Sequence, residues 1–170
     1  MVDPKKHADH RGWVESILLL VPGYRGYLEA DYRRESDRLA RQHLYNRLGA
    51  CKQSIDNLQQ ELVISGNLND ITLFERAISA LVALGNRIQG DVQGYSGFFD
   101  FVKIGTEELD RIYEHDIALL TDVEALVKFT SQLTSSTEEH GVLAAKVRAQ
   151  IDAIANKYAE RTKILQGLTE

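Results

Sequence analysis

Proline is nearly absent: Pro4 and Pro22 are the only two in 170 residues. Beyond Pro22 nothing locks φ or removes a backbone donor, so the rest of the chain is free to run as long helices. The single cysteine, Cys51, excludes an intramolecular disulfide and suits a reducing compartment. Long apolar runs are missing as well. The stretch Ile17 to Val21 follows Glu15 and falls far short of the about 20 residues a membrane-spanning helix needs. No cleavable signal pattern precedes it, and the expected location is cytoplasmic. At about one domain in length, folding buries roughly 68–70% of the surface the unfolded chain exposes, so a core forms without covalent staples.

A basic excess is also lacking. Net charge is −5; residues 1–60 carry 10 Lys/Arg against 8 Asp/Glu, and 61–170 carry 10 against 17. Phosphate contacts dominate nucleic-acid affinity and call for a broad basic face, so nucleic acid is not an expected partner. The asymmetry sets a basic early segment against acidic later helices, or against an acidic partner.

What the chain does have is helical periodicity. Asp3 followed by Pro4 reads as a cap and first position, opening a short helix over 1–21 with Trp13, Ile17 and Leu20 on one face. A helix over 24–64 follows, in which Leu44, Leu48, Cys51, Ile55, Leu58 and Leu62 alternate spacings of four and three, as coiled-coil seams do. Ser65-Gly66-Asn67 stops it. The next helix, over 69–98, carries Ile71, Phe74, Ile78, Leu81, Gly85, Ile88, Val92, Tyr95 and Phe99, with Leu73, Ala77, Ala80 and Leu84 widening its first half. Gly85, Gly90, Gly94 and Gly97 each weaken it by about 1 kcal/mol relative to alanine. Gly105-Thr106-Glu107-Glu108 starts a helix over 106–134 with Leu109, Ile112, Leu119, Val123, Leu126 and Leu133 inward. Ser136 and Glu139 form a capping-box pattern for 137–166, whose seam is Leu143, Val147, Ile151, Ile154, Tyr158, Arg161 and Leu165. The expected fold is all-α: one domain over 1–170, an antiparallel up-and-down four-helix bundle with an additional short N-terminal helix.

The expected lengths do not match. A 40-residue helix spans roughly 60 Å and its partners roughly 45 Å, so about 15 Å containing Tyr24 to Arg34 is expected to project. The connection holding Tyr95, Phe98, Phe99 and Phe101 returns to the same end. Two accounts fit: these aromatics plug the bundle end beneath Trp13 and Leu20, or they form a groove for a partner.

Projected back from Leu44, the seam passes through Arg41, Asp37, Arg34, Ala30 and Tyr27, where charge replaces leucine. Asp116 lies on the inward stripe between Ile112 and Leu119. A buried lone carboxylate is costly, so Asp116 is expected to meet Arg38, Arg41 or Arg87 in a polar cluster. A solvated face with local helix pairs is the competing account.

Catalytic patterns are missing. His7 and His10 stand three apart beside Asp9, a helix spacing that could hold a metal, though near a terminus the expected reading is a solvated pair; Glu-x-x-His, used twice in di-metal bundles, does not occur. His43, His115 and His140 lack triad-like flanks, Cys51 sits on an apolar seam, and Gly90 to Gly94 lacks a phosphate loop's lysine. No cofactor or metal is expected.

Pro-Gly-Tyr-Arg-Gly-Tyr at Pro22–Tyr27, followed by Arg33-Arg34-Glu35-Ser36-Asp37-Arg38, resembles small prokaryotic helical proteins with a Pro-Gly-Tyr-x-Gly-Tyr start and Arg-Arg-Glu-x-Asp-Arg. The resemblance covers about a fifth of the chain and implies no activity. The expected function is a non-catalytic interaction or scaffold module that binds a protein partner, or itself as a dimer, through Tyr24, Arg25, Tyr27, Tyr32, Arg33, Arg34, Arg38 and Arg41. Two alternatives stand beside it. Lys5, Lys6 and Arg11 before Trp13, Ile17 and Leu18 suit a helix lying on a membrane surface; Arg38 with Asp116 suits an unrecognised enzyme.

Overall fold

The computed structural model describes residues 4–91 and 104–167, with side chains from Arg11 onward. Among the described residues there are five helices and no strand: α1 Pro4–Leu20, α2 Ala30–Ile64, α3 Leu68–Gly90, α4 Thr106–Ser131 and α5 His140–Gly167. The continuation of α3 to residue 98, and the aromatic set Tyr95, Phe98, Phe99 and Phe101, lie outside the described residues.

The apolar periodicity explains the packing. Leu44, Leu48, Cys51, Ile55, Leu58 and Leu62 of α2 are all buried, as are Phe74, Leu81 and Ile88 of α3, Leu119 and Val123 of α4, and Val147, Ile151 and Ile154 of α5. Ile78 is half-buried, and Leu73, expected inward, is exposed. α2 packs on α3 and α4, α5 packs on the same two, and α1 lies against α4. These contacts close a ring α2–α3–α5–α4 around one apolar core.

Helix ends follow local chemistry. α2 stops at Ile64 because Gly66 adopts φ +79°, where the amide of Asn67 reaches Leu62 O at 2.9 Å and that of Gly66 reaches Val63 O at 3.1 Å. That pair satisfies two orphan carbonyls of the last turn. Ser136 does not form the expected capping box: its hydroxyl accepts from the Glu138 amide at 3.2 Å, and α5 begins only at His140.

The start of α2 differs most from the sequence expectation. The helix begins at Ala30, not Tyr24, and 21–29 is an irregular connection. Gly23 and Gly26 take φ +86° and +80°, which a right-handed helix forbids. Gly26 is also tightly enclosed, since an added Cβ would sit 2.7 Å from the Tyr113 hydroxyl and 2.8 Å from Val14 Cγ2. The expected projecting aromatic turn is therefore overturned: Tyr24 and Tyr27 are buried inside the chain, and α2 at 35 residues spans roughly 52 Å.

Candidate functional site

The connection 21–29 is held by polar groups from three helices. Tyr27 stacks on Tyr113 of α4 with centroids 5.5 Å apart, and Tyr24 meets Tyr27 edge-on at 5.6 Å. The Tyr113 hydroxyl accepts from the Tyr27 amide at 2.7 Å. Arg33 of α2, with 1% of its surface exposed, donates from Nε to the Tyr27 carbonyl at 2.6 Å and from Nη2 to the Leu28 carbonyl at 3.4 Å. The Arg25 amide donates to Ser36 Oγ at 3.1 Å. Main-chain groups that would otherwise be buried without partners are thus satisfied from α2 and α4.

Below this connection lies a buried ionic chain. Asp116 accepts from the Tyr27 hydroxyl at 2.5 Å and from Arg161 Nε of α5 at 2.5 Å. Arg161 Nη2 also donates to Asp37 Oδ1 at 2.8 Å and to the Tyr27 hydroxyl at 3.1 Å. Asp37 Oδ2 takes Arg41 Nε at 2.7 Å, and Arg41 Nη1 donates to the Ile88 carbonyl of α3 at 3.1 Å. Two arginines and two aspartates balance, which is what makes burial of all four tolerable. Burial, then the Asp116 charge, holds the Tyr27 hydroxyl well above the usual tyrosine range, so it remains a donor. Burial alone would lower Arg161; Asp116, Tyr27 and Asp37 outweigh it and hold the guanidinium firmly charged.

The sequence placed Asp116 correctly inward but assigned it the wrong partners. Arg38 is exposed and pairs with Glu35 at 2.7 and 2.9 Å; Arg87 is exposed and lies over the Tyr158 ring at 5.6 Å. Only Arg41 joins the network, through Asp37 and Arg161. Arg38 is one residue past Asp37, turned about 100° from the inward stripe, whereas Arg161 continues the α5 seam at spacing three from Tyr158. Tyr113 was missed; its spacing of three from Asp116 was the available signal.

The expected contact set divides. Tyr24, Tyr27, Arg33 and Arg41 are internal; Arg25, Arg34 and Arg38 are exposed and Tyr32 is half-exposed. The Arg25 guanidinium lies over the Tyr32 ring at 4.8 Å. Beside this pair is an open cleft of about 470 Å³ lined by Arg11, Val14, Arg25, Leu28, Glu29, Tyr32 and Tyr113. On its other side a second, of about 420 Å³, is lined by residues that include Gly23, Arg25, Tyr32 and Leu39.

Among the described residues no group of three or more His, Cys, Asp or Glu side chains is placed to hold a metal, and no helix is long and apolar enough to cross a membrane. The apolar face offered to a membrane surface is spent in part elsewhere, since Ile17 is fully buried and Trp13 packs on the core, while Leu18, Leu19 and Leu20, the last expected inward, are exposed. Asp116 and Arg38 are not neighbours, and neither cleft beside Arg25 is lined by Asp116, Asp37 or Arg161. His115 Nε2 stands 3.9 Å from Glu160 and His140 Nδ1 2.7 Å from Asp70. His7 and His10 lie outside the described side chains. Burial pushes the Cys51 thiol up to about 11, leaving it a protonated core group.

No family model, curated protein or solved structure matches the chain. The resemblance at Pro22–Arg38 therefore brings no activity with it, and function rests on geometry.

Proposed function

We propose that the chain is a non-catalytic interaction module: a single-domain four-helix bundle that binds a protein partner through the exposed remainder of its Tyr/Arg-rich segment, Arg25, Leu28 and Tyr32, flanked by Arg34 and Arg38. The bundle reading is supported by the ring of helix contacts and by residue pairs. Arg41 meets Ile88 and Gln59 meets Ile71, so α2 and α3 run antiparallel; Lys157 meets Asp122 and Arg161 meets Asp116, so α4 and α5 do too. Arg47 of α2 meets Glu124, while Tyr27, just before α2, meets Asp116 earlier in α4, which fits α2 parallel to α4. Two antiparallel hairpins laid side by side, with α1 as an outer brace on α4, account for all of these.

The observation that carries the functional reading is the Arg25–Tyr32 stack, at the surface where the connection, its backbone anchored from α2 and α4, runs into the start of α2. Arginine and aromatic side chains lead binding hot spots, and a held platform loses less freedom on association than a mobile one. Dimerisation through this end has less to work with, because Tyr24 and Tyr27 are covered within the chain. A photo-crosslinking side chain at Leu28 or Tyr32, compared with one at Gln53 on the far half of α2, tests the reading in the native cell. Specific adducts from the first two sites only are expected; equal labelling from all three would contradict a partner surface here.

A further inference from the structure

Resting on that reading, we propose that the partner element is an acidic linear peptide carrying a large apolar side chain, which lies across the Arg25–Tyr32 ridge. Charge and shape both point there. The first cleft has two arginines, Arg11 and Arg25, against one carboxylate, Glu29, while in the second Glu35 is already engaged by Arg38. With Arg38 counted, three arginines stand against two carboxylates here, a positive excess on a protein whose net charge is −5, so the wall complements a negative segment. Val14, Leu28 and Tyr113 line the same cleft and give it an apolar part that suits one bulky side chain.

The shape favours a chain over a compact ligand. Each cleft falls in the range of small-molecule sites, about 300–1,000 Å³, yet both are open and they share Arg25 and Tyr32 as a common wall. A ligand that fills one therefore abuts the other, and an extended segment occupies both with one ridge crossing. Arg25 is also prepared for the contact. Its amide is fixed by Ser36 and its guanidinium rests on Tyr32, leaving the planar edge to meet a carboxylate in the bidentate fashion arginine favours.

The probe is a phage library of random linear peptides selected on the full-length protein, followed by fluorescence anisotropy with the synthesised consensus peptide. Enrichment of Asp or Glu next to Leu, Phe or Trp is expected. Binding should weaken with added salt, and by about tenfold or more in Arg25→Glu and in Leu28→Asp. Lys128→Glu makes the same charge change at the far end of α4, roughly 22 Å along the helix from Tyr113, and should leave binding within about twofold. Since Arg25 and Leu28 are exposed, unchanged circular dichroism verifies that these variants fold. Selected peptides that lack acidic residues yet lose binding in Leu28→Asp overturn the acidic partner and leave the interaction surface standing. No enrichment, or peptides indifferent to Arg25, Leu28 and Tyr32, overturns both.

Discussion

Asp116 of α4 and Arg161 of α5 are joined Oδ1 to Nε at 2.5 Å, with 3% and 2% of their surfaces exposed. That pair is the centre from which the connection 21–29 hangs, because the other Asp116 oxygen takes the Tyr27 hydroxyl. A polar centre of this kind fixes one arrangement: a register shift of α5 by one residue would replace Arg161 with Glu160 or Thr162 and bury a carboxylate beside Asp116 or leave it without a cation.

Removing Asp116 should therefore be severe. Among the described residues Asp116→Ala leaves Arg161 with Asp37 as its buried counter-charge, and a cost of about 3 kcal/mol is expected in urea denaturation. Replacing the three central polar side chains together, Tyr27→Phe, Asp116→Leu and Arg161→Met, should cost less than Asp116→Ala alone, since apolar groups of similar volume need no partner while Asp37 keeps Arg41. Additive losses would show that the ionic groups do not act as a unit.

Tyr113→Phe tests the anchor of the connection. The variant keeps the ring stack on Tyr27 and removes the acceptor of its buried amide, at an expected cost of about 1–3 kcal/mol. Hydrogen exchange of the Tyr27 amide should accelerate far more than exchange in the middle of α2, such as at Ile55. Uniform acceleration would mean that the connection opens only when the whole domain does.

Acid sensitivity should have an identifiable source at His43. Burial lowers its pKa, with Glu124 opposing more weakly, so the folded protein binds this proton less readily than the unfolded chain does. Stability from the neutral imidazole is then fully present above the unfolded value of about 6.5 and is lost as pH falls from there through the folded value. Glu124, held low by its hydrogen bonds from Arg47, adds a separate loss at lower pH, as the pH falls through the carboxylate range. In His43→Gln the first fall of thermal midpoint with pH should disappear and the second remain; an unchanged profile would assign the acid response elsewhere.

The sequence made the helices legible because packing repeats at three and four residues: the seam from Leu44 to Leu62 is buried throughout. It also made Asp116 legible, since a charge on an apolar stripe stands out. Its partner was not, although Arg161 stood on the α5 seam, because spacing within one helix says nothing of which helix faces which. The sequence also read Tyr24 to Glu29 as helix. Tyrosine, arginine, leucine and glutamate all tolerate one, and only the tertiary demand that Tyr27 reach Asp116 explains why Gly23 and Gly26 instead turn the chain with positive φ.

The same demand sets Gly26 apart from Gly66. Gly26 and Gly66 share nearly the same φ, +80° and +79°, so an alanine at either carries the strain of a positive φ, about 1–2 kcal/mol where the conformation is left-handed helical. Their surroundings differ. A Cβ at Gly66 meets nothing within 4 Å, whereas at Gly26 it would press on the Tyr113 hydroxyl at 2.7 Å and on Val14 Cγ2 at 2.8 Å. Neither neighbour gives way freely, because the hydroxyl accepts from the Tyr27 amide and Val14 sits where α1 packs on the core. Gly26→Ala is therefore expected to cost at least about 1 kcal/mol more than Gly66→Ala, measured by denaturant unfolding of both variants. Adding Tyr113→Phe to Gly26→Ala should cost less than the sum of the two single effects, since the first neighbour is gone and the bond it made is already strained. Equal losses for the two glycine variants, or strict additivity of Gly26→Ala with Tyr113→Phe, would show that Gly26 serves the turn alone and that the Tyr113 hydroxyl does not clamp the connection against α4.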